Sequence, residues 1–242
     1  MATDLMTTPL TRKAPRISVN KLGEYMTATP LRRRRIILDQ QRPKAFIVPR
    51  YTEAQDAITK YLLRDKQDEN VLLSEIERLG LAPSATEWEA QRKRLCIEAL
   101  ERFLDVASAI DLSGQTPTAG GNDQPRLQVG GLEISVRPEV ILRRTTPSGE
   151  PACGALKLYF SKTIPLRPEG GQYVSTMVYQ FVDTQVEPGQ ADPQLCQVVD
   201  VFGGRVFIAP RATARRKRDL WAACEEIARA WDNQEFHSPK PR

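Results

Sequence analysis

Glu139 and Lys157 are the side chains whose types and surroundings most suit phosphate chemistry in this 242-residue chain. They lie in LEISVRPEVILRR, which begins at Leu132, and in GALKLYFSK, which ends at Lys162. Along the first segment Leu132, Ile134, Val136, Val140 and Leu142 fall on even positions, and Glu133, Ser135, Arg137 and Glu139 on odd ones. Alternation of period two is the pattern of a half-buried strand. Ser148-Gly149-Glu150 turns the chain, after which Leu156, Leu158 and Phe160 oppose Ala155, Lys157 and Tyr159. The two runs read as a hairpin. It sets a carboxylate and an ammonium on one polar face, the skeleton of a metal-dependent nuclease site.

Pro138-Glu139 on one strand and Lys157 on the next resemble the PD-(D/E)XK nuclease superfamily, specifically its RecB-type branch with the CRISPR-associated adaptation exonucleases. That branch opens with a Ser-x-Ser-x-Leu stretch, an aromatic and a Cys-Pro before a basic helix. Here Ser18-Val19-Asn20-Lys21-Leu22, Tyr25, Thr29-Pro30 and Arg32 to Arg35 follow in that order. After the lysine strand the family has a helix with a Gln-x-x-x-Tyr signature, a strand pair and a last helix. Residues 173–182, 196–209 and 213–231 match that order. The resemblance implies a restriction-endonuclease-like core, Mg²⁺ held by Glu139, Lys157 orienting the attacking water or stabilising phosphorane charge, and Tyr179 supporting the site. It also implies DNA as ligand and a place in an antiviral phage-defence or mobile-element assembly. Departures are Ala155 where the family has an acid, Ser175 where it has glutamine, and Thr29 where it has cysteine. No late cysteine cluster completes an iron–sulfur site.

Ala155 is the departure with chemical weight. Phosphodiester hydrolysis needs a cation to polarise the phosphoryl group and help generate hydroxide. Magnesium takes near-octahedral oxygen coordination, commonly one or two carboxylates with waters and phosphate oxygens. Residues two apart on a strand share a face, so an acid at 155 would sit beside Lys157, and alanine offers no oxygen. Glu133, Glu98 and Glu101 are the candidate replacements. The competing reading makes Glu139 and Lys157 a cross-strand ion pair, worth about a few tenths of a kcal/mol.

Composition excludes other chemistries. Hydrophobic residues make up 40% of the chain, and no apolar run approaches the roughly 18 residues of a membrane span. Without an apolar signal core at the N-terminus, a cytoplasmic location is expected. Cys96, Cys153, Cys196 and Cys224 are scattered without C-x-x-C spacing and read as reduced, buried thiols. His237 is the one histidine and lies in a polar tail, which argues against histidine-based general-base chemistry or zinc.

The net charge of +5 is unevenly spread. Eleven Arg/Lys stand between Arg12 and Arg50 against Glu24 and Asp39, and Arg211, Arg215, Arg216, Lys217 and Arg218 form a second run. Concentrated cations suit a polyanion, because each phosphate contacted releases condensed counterions. Arg32, Arg33, Arg34, Arg35, Arg215, Arg216, Lys217 and Arg218 are therefore the candidate nucleic-acid contacts. Four consecutive helical residues turn through about 300°, so the Arg32–Arg35 side chains cannot all address one ligand.

The expected architecture is α/β, a helical N-terminal half packed on a small mixed β-sheet, as one domain with a helical insertion. Residues 1–16 read as a flexible arm, 17–110 as a basic helical region and 111–126 as a loop. An α/β core is expected over 127–232 and a tail over 233–242. Ser18 caps a first helix, Thr29-Pro30 starts the Arg-rich one, and Pro43 and Pro49 interrupt it. Helices follow over 51–63, 71–79 ending at Gly80, and from Ser84 or Thr86 to Ile110 with Trp88 near the buried stripe. Val198–Ile208 reads as a hairpin turning at Gly203-Gly204, with Asp200 a polar rim residue. Leu220, Cys224, Ile227 and Trp231 mark the buried stripe of the closing helix. There is no P-loop.

Three functions fit these features. The first is a nucleic-acid-binding subunit of a larger complex, with a nuclease-like core whose cleavage is lost. The second is an active Mg²⁺-dependent DNA nuclease. The third is a protein-interaction module that meets acidic partners without nucleic acid.

Overall fold

A computed structural model of the chain describes residues 11–43, 50–64, 66, 68–121 and 123–232. Pro49, His237 and the tail 233–242 lie outside them. The chain opens with strand β1 (Arg16–Ser18) and helices α1 (Val19–Thr27), α2 (Pro30–Gln41), α3 (Thr52–Leu63), α4 (Asn70–Leu81) and α5 (Glu87–Ala107). Strands β2 (Thr116–Ala119), β3 (Leu127–Val129), β4 (Leu132–Ser135), β5 (Val140–Thr145) and β6 (Pro151–Tyr159) follow. Helix α6 (Pro168–Phe181), a π-helical turn (Val182–Val186), strands β7 (Ala191–Asp200) and β8 (Arg205–Ile208), and helix α7 (Ala214–Asp232) complete it.

Side-chain oxygens start the helices where the sequence suggests. Ser18 Oγ accepts from Lys21 N–H and Thr29 Oγ1 from Arg32 N–H, with Pro30 in the first turn of α2. Thr86 Oγ1 accepts from Glu89 N–H while the Glu89 carboxylate reaches back to Ala85 N–H, a reciprocal cap. Helix α4 runs through Gly80 to Leu81, one residue past the glycine that the sequence pattern takes as its end. Trp88 is exposed, with the Arg92 guanidinium over its ring, so it is not part of the buried stripe.

The described strands form two mixed sheets. Three strands lie in the order β1-β4-β3 and five in the order β2-β5-β6-β7-β8. Strand β6 pairs antiparallel with β5 and parallel with β7; a parallel neighbour needs a crossover, which α6 supplies. Apolar clusters cover both faces of the larger sheet. Leu156, Leu158, Val140 and Val199 meet α3, α4 and α5 on one side, while Cys153, Ala155, Tyr159 and Cys196 meet α1, α6, α7 and the smaller sheet on the other. The expected α/β class is therefore present, with helices on both faces of the central sheet. Strand β6 is buried from Ala152 to Tyr159, as a strand with two covered faces must be. The face read from sequence as polar is also core.

The even-numbered residues of LEISVRPEVILRR do not share one face. Strand β4 belongs to the smaller sheet and β5 to the larger, and Leu132 and Val140 fall in different cores. Pro138 stands between them, where the missing N–H breaks a ladder. The stretch 111–126 contains edge strand β2, paired with β5. The β7–β8 turn spans Val201 to Gly204, since pairing ends at Asp200↔Arg205. Asp200 is fully buried, accepting from Leu166 N–H at 2.7 Å and Gly203 N–H at 3.0 Å. It holds two turns instead of lying on the rim, and burial pushes its carboxyl pKa up. Among the described residues no helix is long and apolar enough to cross a membrane.

Register between β6 and β7 shifts around Gly154, from Cys153↔Ala191 to Ala155↔Cys196. The extra β7 residues bring Leu195 onto Gly154, where any Cβ would collide with its backbone. Gly154→Ala should therefore lower stability by about 1–3 kcal/mol, read as a fall in the urea midpoint. All four cysteines are free and buried, and burial raises the Cys224 thiol pKa to about 12. A thiol-reactive dye should label none of them in the native protein and all four after unfolding.

Candidate functional site

Glu139 sits immediately before β5, where the chain leaves Pro138. Its N–H donates to Leu156 O at 3.0 Å, and its carbonyl accepts from Gly120 N–H at 2.9 Å. Gly120 follows β2, and a Cβ there would collide with the Pro138 carbonyl. Backbone contacts with two neighbouring strands thus fix where the side chain starts. Its Oε1 accepts from Lys157 Nζ at 2.6 Å and from Gln55 Nε2 of α3 at 3.0 Å. Its Oε2 accepts from Leu158 N–H at 2.6 Å. Glu139 and Lys157 are 7% and 9% exposed, so the pair is held away from water. Sequence parity set these two residues on one side and the structure pairs them, although Glu139 stands just before β5 and not within one strand running from Leu132.

The other oxygens a magnesium ion would need are not assembled around this carboxylate. Ala155 is fully buried in the core with Cys153 and Cys196. Glu133 lies in the smaller sheet and pairs with Arg126 at 2.6 Å and Arg16 at 3.4 Å. Glu98 pairs with Lys162 at 2.7 Å, and Glu101 is exposed on α5. Among the described residues no group of three or more His, Cys, Asp or Glu is placed to hold a metal. Asp56 of α3, which sequence spacing did not single out, is the other acid lining the cleft of about 590 Å³ that Glu139 borders. One carboxylate whose oxygens already serve an ammonium, an amide and a backbone N–H does not fit the oxygen-rich shell that Mg²⁺ requires.

Tyr179 lies near the end of α6, with the Lys217 ammonium 4.8 Å from its ring centroid. No described contact links it to Glu139 or Lys157. The arginine run of α2 is largely engaged within the chain. Arg32 bonds Glu24 at 2.6 Å. Arg33 donates to the carbonyls of Tyr25 and Met26 at the end of α1, and Arg35 pairs with Asp39 at 3.0 Å. Arg34 also has an interaction. In the second run Arg216 bonds Gln172, whereas Arg215 and Arg218 are exposed on α7.

A different set of cations surrounds the Glu139–Lys157 pair. Arg12, Arg16, Arg137 and Lys157 line a cleft of about 500 Å³ whose described lining contains no carboxylate. Arg16 and Ser18 come from β1, Asn20 from α1, Ser135 from the end of β4, and Arg137 from just after it. Sequence reading counted Arg12 and Arg16 in the basic run but missed Arg137. The parallel pairing of β1 with β4 brings these residues together across more than a hundred positions, a contact with no local signal. Burial first, then the neighbouring Arg126 and Arg12, lowers the Arg16 guanidinium pKa.

No protein-family model matches the sequence, and no curated protein matches it.

Lys157→Met would leave Glu139 buried without its counter-charge, so a stability loss of about 3–5 kcal/mol is expected. In the double variant Glu139→Gln/Lys157→Met the loss should be clearly smaller than the sum of the two single losses. Denaturant unfolding of the four proteins checks this; additive losses would mean that the two residues act independently.

Proposed function

We propose that the chain is a nucleic-acid-binding subunit, with DNA as its ligand, built on a PD-(D/E)XK nuclease-like core that does not cleave. The observation that carries the reading is the cleft of four cations, with no carboxylate in its described lining, beside a carboxylate that already accepts from three donors. Lys157 and Arg16 are paired with Glu139 and Glu133, but Arg12 and Arg137 have no carboxylate partner among the described residues, and such an excess of cations favours phosphates and other anions. The order of elements also supports the nuclease-like core. A hairpin bearing Glu139 and Lys157 is followed by α6, a strand pair and a last helix, as the resemblance implies. The alanine at 155 and the engagement of Glu139 argue that binding outlived hydrolysis.

A second reading, Mg²⁺-dependent cleavage, has one observation in its favour: Asp56 borders the same cleft as Glu139. Fluorescence anisotropy with single- and double-stranded DNA, with Mn²⁺ or with EDTA, separates the two. Binding should fall steeply with salt, by a log–log slope of about 0.7 to 0.9 per phosphate contacted. It should be indifferent to EDTA and yield no cleavage products. Products that need Mn²⁺ and vanish in Glu139→Gln and Asp56→Asn would establish a nuclease instead. Failure to bind any nucleic acid at low salt would leave a protein-interaction module.

A further inference from the structure

The cationic cleft has a more selective character than a general polyanion surface. Its four cations come from separate places: Arg16 on β1 and Lys157 on β6, each with one carboxylate partner outside the lining, and Arg12 before β1 and Arg137 after β4, with no carboxylate partner among the described residues. Ser18 and Ser135, directly paired in the β1–β4 ladder, add two hydroxyls. Val19 and Asn20, the first two residues of α1, also line it, so the positive end of a nine-residue helix adds its field. The Asn20 amide donates to Leu158 O, and its buried Oδ1 has no partner among the described residues.

Charge differs sharply on the two sides of Lys157. Arg137 and Lys157 border both this cleft and the Glu139 cleft, so the two are neighbours. The Glu139 side offers two carboxylates, Glu139 and Asp56, with the neutral polar groups Thr52, Gln55 and Thr59. It suits the sugars and bases of a strand better than a second negative charge. The side bounded by Arg12 and Arg16 has no acid in its lining, and suits the most highly charged group that a nucleic acid carries. An internal phosphodiester has one negative charge; a terminal phosphomonoester approaches two near neutral pH.

We propose that the cleft lined by Arg12, Arg16, Arg137 and Lys157 binds a phosphomonoester dianion, the terminal phosphate of a nucleic-acid strand. The proposal rests on the nucleic-acid-binding reading above and narrows it from strands in general to strand ends. The Ser18 and Ser135 hydroxyls and the first N–H groups of α1 complement the charged donors.

The test compares one single-stranded oligodeoxynucleotide in three forms: 5′-phosphorylated, 3′-phosphorylated, and with hydroxyls at both ends. One phosphorylated form should bind about tenfold more tightly, or better, than the hydroxyl form. Arg137→Gln and Arg12→Gln should abolish that preference without moving the melting temperature appreciably, since Arg137 is exposed and Arg12 only half-buried. Inorganic phosphate should compete more strongly against the phosphorylated form. Equal binding of all three forms, or a preference that survives both substitutions, would overturn the proposal while leaving the nucleic-acid reading intact. Thermal stabilisation by inorganic phosphate that is lost in Arg137→Gln, with no oligonucleotide bound, would overturn both the strand-end assignment and the nucleic-acid reading, leaving a small-anion site.

Discussion

A buried carboxylate must have its charge met locally, and Glu139 is met by two donors from β6 and one from α3. Lys157 supplies the ammonium from β6, Leu158 its backbone N–H, and Gln55 an amide from α3. Charged groups removed from water are costly unless paired and hydrogen-bonded, so these contacts bind helix α3 to the centre of the larger sheet. They also determine the chemistry available. Oxygens committed to three donors are poor ligands for a hard cation, and the ammonium that neutralises them also borders the cleft lined by Arg12, Arg16 and Arg137.

The positively charged residues divide by what neutralises them. In α2, Arg32, Arg33 and Arg35 find Glu24, the carbonyls at the end of α1, and Asp39. The Arg32 and Arg33 contacts fasten α2 to α1, and the Arg35–Asp39 pair lies within α2. Around β1 and β4 the balance differs: Glu133 alone serves both Arg16 and Arg126, while Arg12 and Arg137 border a cleft without an acid in its lining. Burial and like-charge neighbours lower the Arg16 pKa, as expected where cations collect faster than carboxylates. A count of basic residues cannot make this distinction, because it depends on where the acids lie.

Much of the architecture was legible locally. Ser18, Thr29 and Thr86 start helices because their short side chains satisfy free N–H groups within three residues. The hairpin, the strand pair and the closing helix also follow from periodicity and turn residues, while the crossover helix over 173–182 was expected from the resemblance alone. Longer-range features were hidden. Alternation through Pro138 hides the passage from one sheet to the other, since the residues on both sides are apolar at even positions. Asp200 looks like a rim residue beside a turn, and only the approach of Leu166 N–H makes it a buried acceptor. Gly80, by contrast, stands one residue before the last residue of α4, so the glycine marks the helix end to within a residue.

The sequence by itself determined which side chains could do chemistry and that Glu139 and Lys157 would meet, because two short strands joined by a turn have a local register. It also determined that position 155 brings no oxygen. The tertiary structure alone decided that the carboxylate is shared among three donors and that Arg32 and Arg33 of α2 reach partners on α1. Likewise it decided that a cleft with no carboxylate in its described lining forms from residues of β1, α1, β4 and β6. The reason is physical: charge neutralisation and burial depend on distances between segments far apart along the chain, and those distances are set by how the sheets and helices pack.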